Sequence, residues 1–359
     1  MGKPLGVGIV GVGNISSQYL ENIPKLSNLK IIGVSDLNKA RQDEVARKNN
    51  VDSIDGDEIF TREDIDVILN LTLPQSHAEV NLRALTNGKH VYLEKPFALT
   101  IAEGDPIIHL AAEKGLRIGC APDTFLGTGI QSSKFMIESG AIGTPFAATA
   151  SWSAPGHELW HPSPQFYYLN GAGPLLDMGP YYLTALVFLL GPVTHVVGNS
   201  TRSNRSRKIH TGELAETPLR VEVETHVSAL LTHQSGAQST IMVSFEVWGS
   251  RLPTIEVYGT RGTIIVPDPN KFNDIPEIYT ESEREWRPVD ECAGFRDSGR
   301  GHGLSEMAAA LSEGRPHRAS GELGFHVLEV MEKILTSARD NKRLAITSSV
   351  KKIPILPLM

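Results

Sequence analysis

The stretch that most constrains this 359-residue chain is its beginning. Residues 5–12 (LGVGIVGV) are apolar and β-branched. They lead into Gly11-Val12-Gly13-Asn14-Ile15-Ser16 and then SSQYLENI. Strand, glycine turn, helix is the order in which a backbone can hold a dinucleotide pyrophosphate. The first glycine permits the tight turn and the second lets the backbone approach the phosphates. The third position, usually Gly or Ala for close helix packing, is the small Ser16.

A second apolar run, LKIIGVS (29–35), ends at Asp36. A carboxylate there can accept hydrogen bonds from the adenosine ribose and repel a 2′-phosphate, which favours NAD over NADP. Lys39 and Arg41 follow closely and soften that repulsion. Asp36 can equally cap the next helix, NKARQDEVARK, and the spacing leaves both readings open.

The alternation continues through IDVILNLTL (65–73), HAEVNLRALTNG (77–88), HVYLEK (90–95), IAEGDPIIHLAAEKG and LRIGCA (116–121). Strands alternating with helices at this spacing imply right-handed crossovers and a parallel sheet, with ligands at the carboxyl ends of the strands. Thr72, Pro74, Glu94 and Lys95 fall at such ends. Lys95, fixed by the following Pro96, can polarise a carbonyl or share a proton, or it can be an ordinary surface lysine.

Composition excludes several other classes. A length of 359 residues implies two domains, and 40% apolar with 21% charged residues is globular. A net charge of −7 argues against a nucleic-acid or anionic-membrane partner. The densest basic run, Arg202 to Lys208, reads as a solvated loop. The two cysteines fit a reducing compartment. No signal peptide is visible, and YYLTALVFLL (181–190) is too short to span a bilayer, so a cytoplasmic protein is expected.

Two further stretches carry candidate chemistry. GAGPLLDMGPYY (171–182) opens an apolar segment of helical length, and Asp177 and Tyr181 share one face if the helix starts near Leu175. They are either a satisfied buried pair or a catalytic one. HELWH (157–161) matches the zinc-protease string H-E-x-x-H, which works only on a helix of several turns. Pro155, Gly156, Pro162 and Pro164 bracket it, so we expect a loop and no metal.

GVGIVGVGNIS, TLPQSHAEVNLRALTNGKHVYLEKPFA and GAGPLLDMGPYYLTALVFLLG, in this order and over nearly the whole chain, resemble the glucose–fructose oxidoreductase / inositol dehydrogenase / rhizopine catabolism (Gfo/Idh/MocA) family. The E-K-P tripeptide followed by G-x-G-x-x-x-D-x-G-x-[HY] is the specific part. The resemblance implies an N-terminal Rossmann domain (1–122) with a parallel sheet. It also implies a C-terminal α+β domain (123–359) with a large, mostly antiparallel open sheet for substrate binding and oligomer contacts. The last helix, 321–342, is expected to pack back on the first domain.

The function so implied is an NAD-preferring (or NADP-using) oxidoreductase acting on a neutral sugar, glycoside or inositol-type polyol. The alternatives are glycoside cleavage by transient oxidation and a non-catalytic nucleotide sensor. Carried over position by position, Lys95 is the E-K-P lysine, Asp177 the substrate-side carboxylate and Tyr181 the acid–base position. A free tyrosine pKa lies near ~10, and Lys95 is the cation that would bring it into use.

The expected cofactor contacts are Gly11, Gly13, Asn14, Ile15, Asp36, Thr72, Pro74, His77, Glu94 and Lys95. The expected substrate contacts are Trp160, His161, Asp123 and Asp177. Where many relatives place an arginine, this chain reads Ala121-Pro122-Asp123-Thr124-Phe125, which favours a neutral substrate. The aromatic run from Trp152 to Tyr168 either stacks on a sugar face or packs as a loop or dimer contact. A homodimer or homotetramer through the C-terminal sheet is expected, with no nucleic-acid or membrane partner.

Overall fold

The computed structural model describes residues 3–359. The chain begins β1 (Leu5–Val10), α1 (Ser16–Asn22), β2 (Leu29–Ser35), α2 (Lys39–Asn49), β3 (Asp52–Ser53), α3 (Glu58–Thr61) and β4 (Val67–Asn70). It continues α4 (His77–Thr86), β5 (His90–Leu93), α5 (Ile101–Lys114), β6 (Ile118–Cys120), α6 (Thr128–Glu138), β7 (Pro145–Ser153), α7 (Pro174–Leu190) and β8 (Val193–Thr201). Then follow β9 (His226–His233), β10 (Gln238–Ser244), β11 (Ile255–Gly259), β12 (Gly262–Val266), β13 (Glu277–Thr280) and β14 (Trp286–Pro288). The last elements are α8 (His302–Ser312), α9 (Gly321–Asp340) and β15 (Leu344–Ala345).

Two compact units result. Among the described residues, the first comprises 3–126 and 297–328, the second 127–296 and 329–359.

The first unit holds a six-stranded sheet in the order β3-β2-β1-β4-β5-β6. Every pairing in it is parallel. The strand interiors are near-continuous apolar runs because both faces are covered; Val7, Ile9, Val67, Ile68, Leu69, Val91 and Leu93 are fully buried. Placing β1 in the middle of the order brings its carboxyl end beside that of β4, where the strand order reverses. That is the point at which such sheets bind ligands. The start of α9 belongs to this unit, its Gly324 lying so close to Cys120 and Phe97 that a Cβ there would come within 2.7 Å of Cys120.

The second unit holds a nine-stranded sheet in the order β14-β13-β12-β11-β7-β10-β9-β8-β15. It is antiparallel except where β10 pairs with β7. β9 and β10 form a hairpin around Ser235-Gly236, with Ile241, Val243 and Phe245 buried. α7 is mostly apolar, and every one of its residues except Asp177 is buried. The later part of α9 belongs here: Ser337 Oγ accepts from Gly198 N at 2.8 Å. Among the described residues, no helix is long and apolar enough to cross a membrane.

Candidate active site

In the first unit, the glycine turn after β1 is built for close approach. Gly11 has φ +93°, and a Cβ there would lie 2.8 Å from the backbone of Leu71, so no side chain fits. A Cβ on Gly13 would meet nothing within 4 Å, so this backbone faces open space of the kind a pyrophosphate needs. Asn14 and Ile15 complete the turn. Ser16 is buried, and its hydroxyl donates to Gly13 O at 2.7 Å, closing the turn in a way the spacing alone does not reveal.

Asp36 does not cap α2; Asn38 does, its side chain accepting from Arg41 N at 3.1 Å. Instead Asp36 reaches back across the sheet end. Oδ2 accepts from Val12 N at 2.8 Å, and Oδ1 accepts from Asn38 N at 2.8 Å and from Arg41 Nη2 at 3.0 Å. Burial pushes its pKa up, but these donors outweigh burial and hold the carboxyl below its ordinary range. An ionised carboxylate bound to the glycine turn suits a ribose diol and disfavours a 2′-phosphate. Of the two nearby cations only Arg41 bonds Asp36; Lys39 bonds Asp55 at 2.9 Å.

At the ends of β4 and β5 the expected residues form a bonded set. Asn70 Oδ1 accepts from Thr72 Oγ1 at 2.7 Å. Glu94 is buried, accepting from Tyr19 Oη at 2.8 Å and from Lys95 N at 3.1 Å. His77 is wholly buried, with Nδ1 2.7 Å from Pro96 O and Nε2 3.1 Å from Thr72 O. The ring is wedged between the Thr72 and Lys95-Pro96 segments, and as a neutral imidazole with one N–H it donates to one of these two carbonyls. Pro74 starts a short 3₁₀ turn, and Lys95 is half-buried at the end of β5.

Asp123 is placed differently from the substrate-facing position expected of it. It has no exposed surface, and it accepts from Arg300 Nη1 at 3.2 Å, Gly301 N at 3.1 Å and Gly303 N at 3.0 Å. A carboxylate against the first N–H groups of α8 is a favourable helix-start arrangement.

In the second unit, α7 is one continuous helix from Pro174, so Asp177 and Tyr181 do lie one turn apart on it. HELWH is not an α-helix: His157–Leu159 form a single 3₁₀ turn. Its two polar residues go to separate partners. His157 Nε2 lies 2.8 Å from Asp177 Oδ2. Glu158 is bonded by Tyr168 Oη and by Arg207 Nη1, and both Glu158 and Arg207 side chains are only 1% exposed.

Arg207 thus departs from the solvated loop expected of its basic run. It also donates to Phe245 O at 2.8 Å and pairs with Glu246 at 2.7 Å. Trp160 is 58% exposed, and His161 Nδ1 accepts from Ser163 N at 3.0 Å. Among the described residues no group of His, Cys, Asp and Glu could hold a metal ion.

Comparison with known proteins fits this geometry. Residues 5–121 match the oxidoreductase family with an NAD-binding Rossmann fold, and residues 130–265 match the GFO/IDH/MocA C-terminal domain. The myo-inositol 2-dehydrogenase of Thermotoga maritima is 23% identical, covering 89% of this chain and 91% of that protein. The dTDP-3,4-didehydro-2,6-dideoxy-α-D-glucose 3-reductase of Actinomadura kijaniata is 24% identical over 94% of this chain and 97% of that one. A levoglucosan dehydrogenase solved with NADH shares the fold, with a TM-score of 0.80 and 20% identity over 96% of this chain and 100% of that chain.

Proposed function

From the premise that this chain belongs to the Gfo/Idh/MocA oxidoreductase family, we propose that it oxidises a CH–OH carbon of a neutral sugar, glycoside or inositol-type polyol with NAD, or reduces the corresponding carbonyl with NADH. The observation that carries this reading is α7: an acid and a phenol, Asp177 and Tyr181, one turn apart on an otherwise apolar and buried helix. Relatives named for inositol, apiose and levoglucosan dehydrogenation support the substrate class.

Gly11, Gly13 and Asp36 hold the dinucleotide by its pyrophosphate and ribose. When bound there, the nicotinamide would supply a hydride acceptor for oxidation and, in its reduced form, a hydride donor for reduction. Tyr181 Oη takes the proton of the substrate hydroxyl as the carbon-bound hydrogen leaves with its electron pair, and it returns that proton in reduction. Lys95 supplies positive charge to the substrate oxygen. Asp177 accepts a hydrogen bond from a second substrate hydroxyl and so orients the ring. His77 and Glu94 keep the Thr72 and Lys95 segments in register.

The test is near-ultraviolet absorbance of NADH formed from NAD by the purified protein with a panel of neutral sugars, glycosides and inositols. Turnover with one such compound supports the reading. Sugar release from a glycoside without net NADH would replace it with cleavage by transient oxidation.

A further inference from the structure

Asp177 is not held by its own helix alone. His157 reaches it from the 3₁₀ turn twenty residues earlier, Nε2 to Oδ2 at 2.8 Å. The imidazole is 6% exposed and walled by rings. Centroids lie 4.3 Å away for Tyr167, 4.7 Å for Phe245, 5.3 Å for Trp160 and 6.0 Å for Trp152. Nδ1 is buried with no hydrogen-bond partner.

A carboxylate offers only lone pairs, so the proton of the shared bond sits on Nε2. In a neutral ring that leaves Nδ1 with a lone pair against carbon. Such a ring cannot relay a proton to substrate, because a relay needs the second nitrogen to reach a reacting group. It can only donate, in one direction, to Asp177.

The turn that carries His157 is itself fixed. Its backbone N donates to Tyr168 Oη at 3.1 Å, and the same hydroxyl donates to Glu158, which Arg207 also bonds. We infer that His157 is a positioning residue: as the Nε2–H tautomer, supported by the Arg207–Glu158–Tyr168 cluster, it fixes the orientation in which Asp177 meets a substrate hydroxyl. This rests on the assignment of Asp177 to substrate made above.

Two measurements test it on the full-length protein. Long-range ¹H–¹⁵N correlation spectra of ¹⁵N-histidine protein report the tautomer without any substrate; the signals lost in His157→Gln are those of His157. We expect the Nε2-protonated pattern, displaced in Asp177→Asn. A proton on Nδ1 would overturn the inference.

The second is a double-mutant cycle on KM for the panel compound turned over fastest. His157→Leu should raise that KM by about tenfold with little change in the KM for NAD. His157→Gln, which restores a donor, should recover most of the loss. In an Asp177→Asn background His157→Leu should add almost nothing, because it acts through the missing carboxylate. Additive losses would overturn the inference while leaving the role of Asp177 intact. An Asp177→Asn protein with undiminished substrate affinity would remove Asp177 from the substrate, and the inference with it.

Discussion

At the scale of single residues, the proposed nucleotide site turns on one carboxylate, Asp36. Asp36 holds Val12 N and pairs with Arg41, whose guanidinium is half exposed. Removing the carboxylate takes away the repulsion of a 2′-phosphate and frees Arg41 to meet one. Asp36→Ala should therefore raise the kcat/KM ratio of NADP to NAD by about tenfold or more, since a charged hydrogen bond is worth roughly 1.5–3 kcal/mol. Steady-state kinetics with both nucleotides checks this, and an unchanged ratio would show that Asp36 does not face the ribose. The position of Asp36 at the end of β2 was legible in sequence, because a strand's end is a local signal. Its bond to Val12, across 24 residues, was not.

Elements show the same division between local and distant information. Strands β1, β2, β4 and β5 could be read because buried parallel strands are short apolar runs bounded by glycine and polar residues. Helix α7 could be read because Gly173 and Gly191 bracket a run of helical length. The 3₁₀ turn at His157 was legible only as a non-helix, from its prolines. Its partners Asp177 and Arg207 lie 20 and 49 residues away, and Asp123 meets Arg300 across 177. No periodicity encodes such pairings. The consequence for the turn is testable. Arg207→Met takes from the buried Glu158 the nearer of its two arginines and leaves Arg205 at 3.7 Å, which should cost about 3 kcal/mol, the low end for a broken buried pair. Chemical denaturation checks this; a loss below about 1 kcal/mol, the level of a surface ion pair, would mean that the cluster is not what holds the turn.

The whole molecule carries a pH dependence set by buried imidazoles. Burial lowers the pKa of His77, His90, His233 and His317, with backbone hydrogen bonds at His77, His233 and His317 offsetting part of it. Between the unfolded value near ~6.5 and these lowered values the unfolded chain binds more protons than the folded one. Stability is thus fully present above about pH 6.5 and falls as the pH descends through the folded values. Thermal unfolding followed as the pH falls from about 6.5 towards the ordinary carboxylate range should show a falling Tm; a flat profile would mean the four rings are hydrated. Proton transfer through Tyr181 is tested most directly by one comparison: NAD affinity and turnover of Tyr181→Phe beside the unaltered protein. The expected result is an unchanged Kd for NAD with kcat lower by about 10²–10⁴-fold. Full turnover by the phenylalanine protein would contradict it.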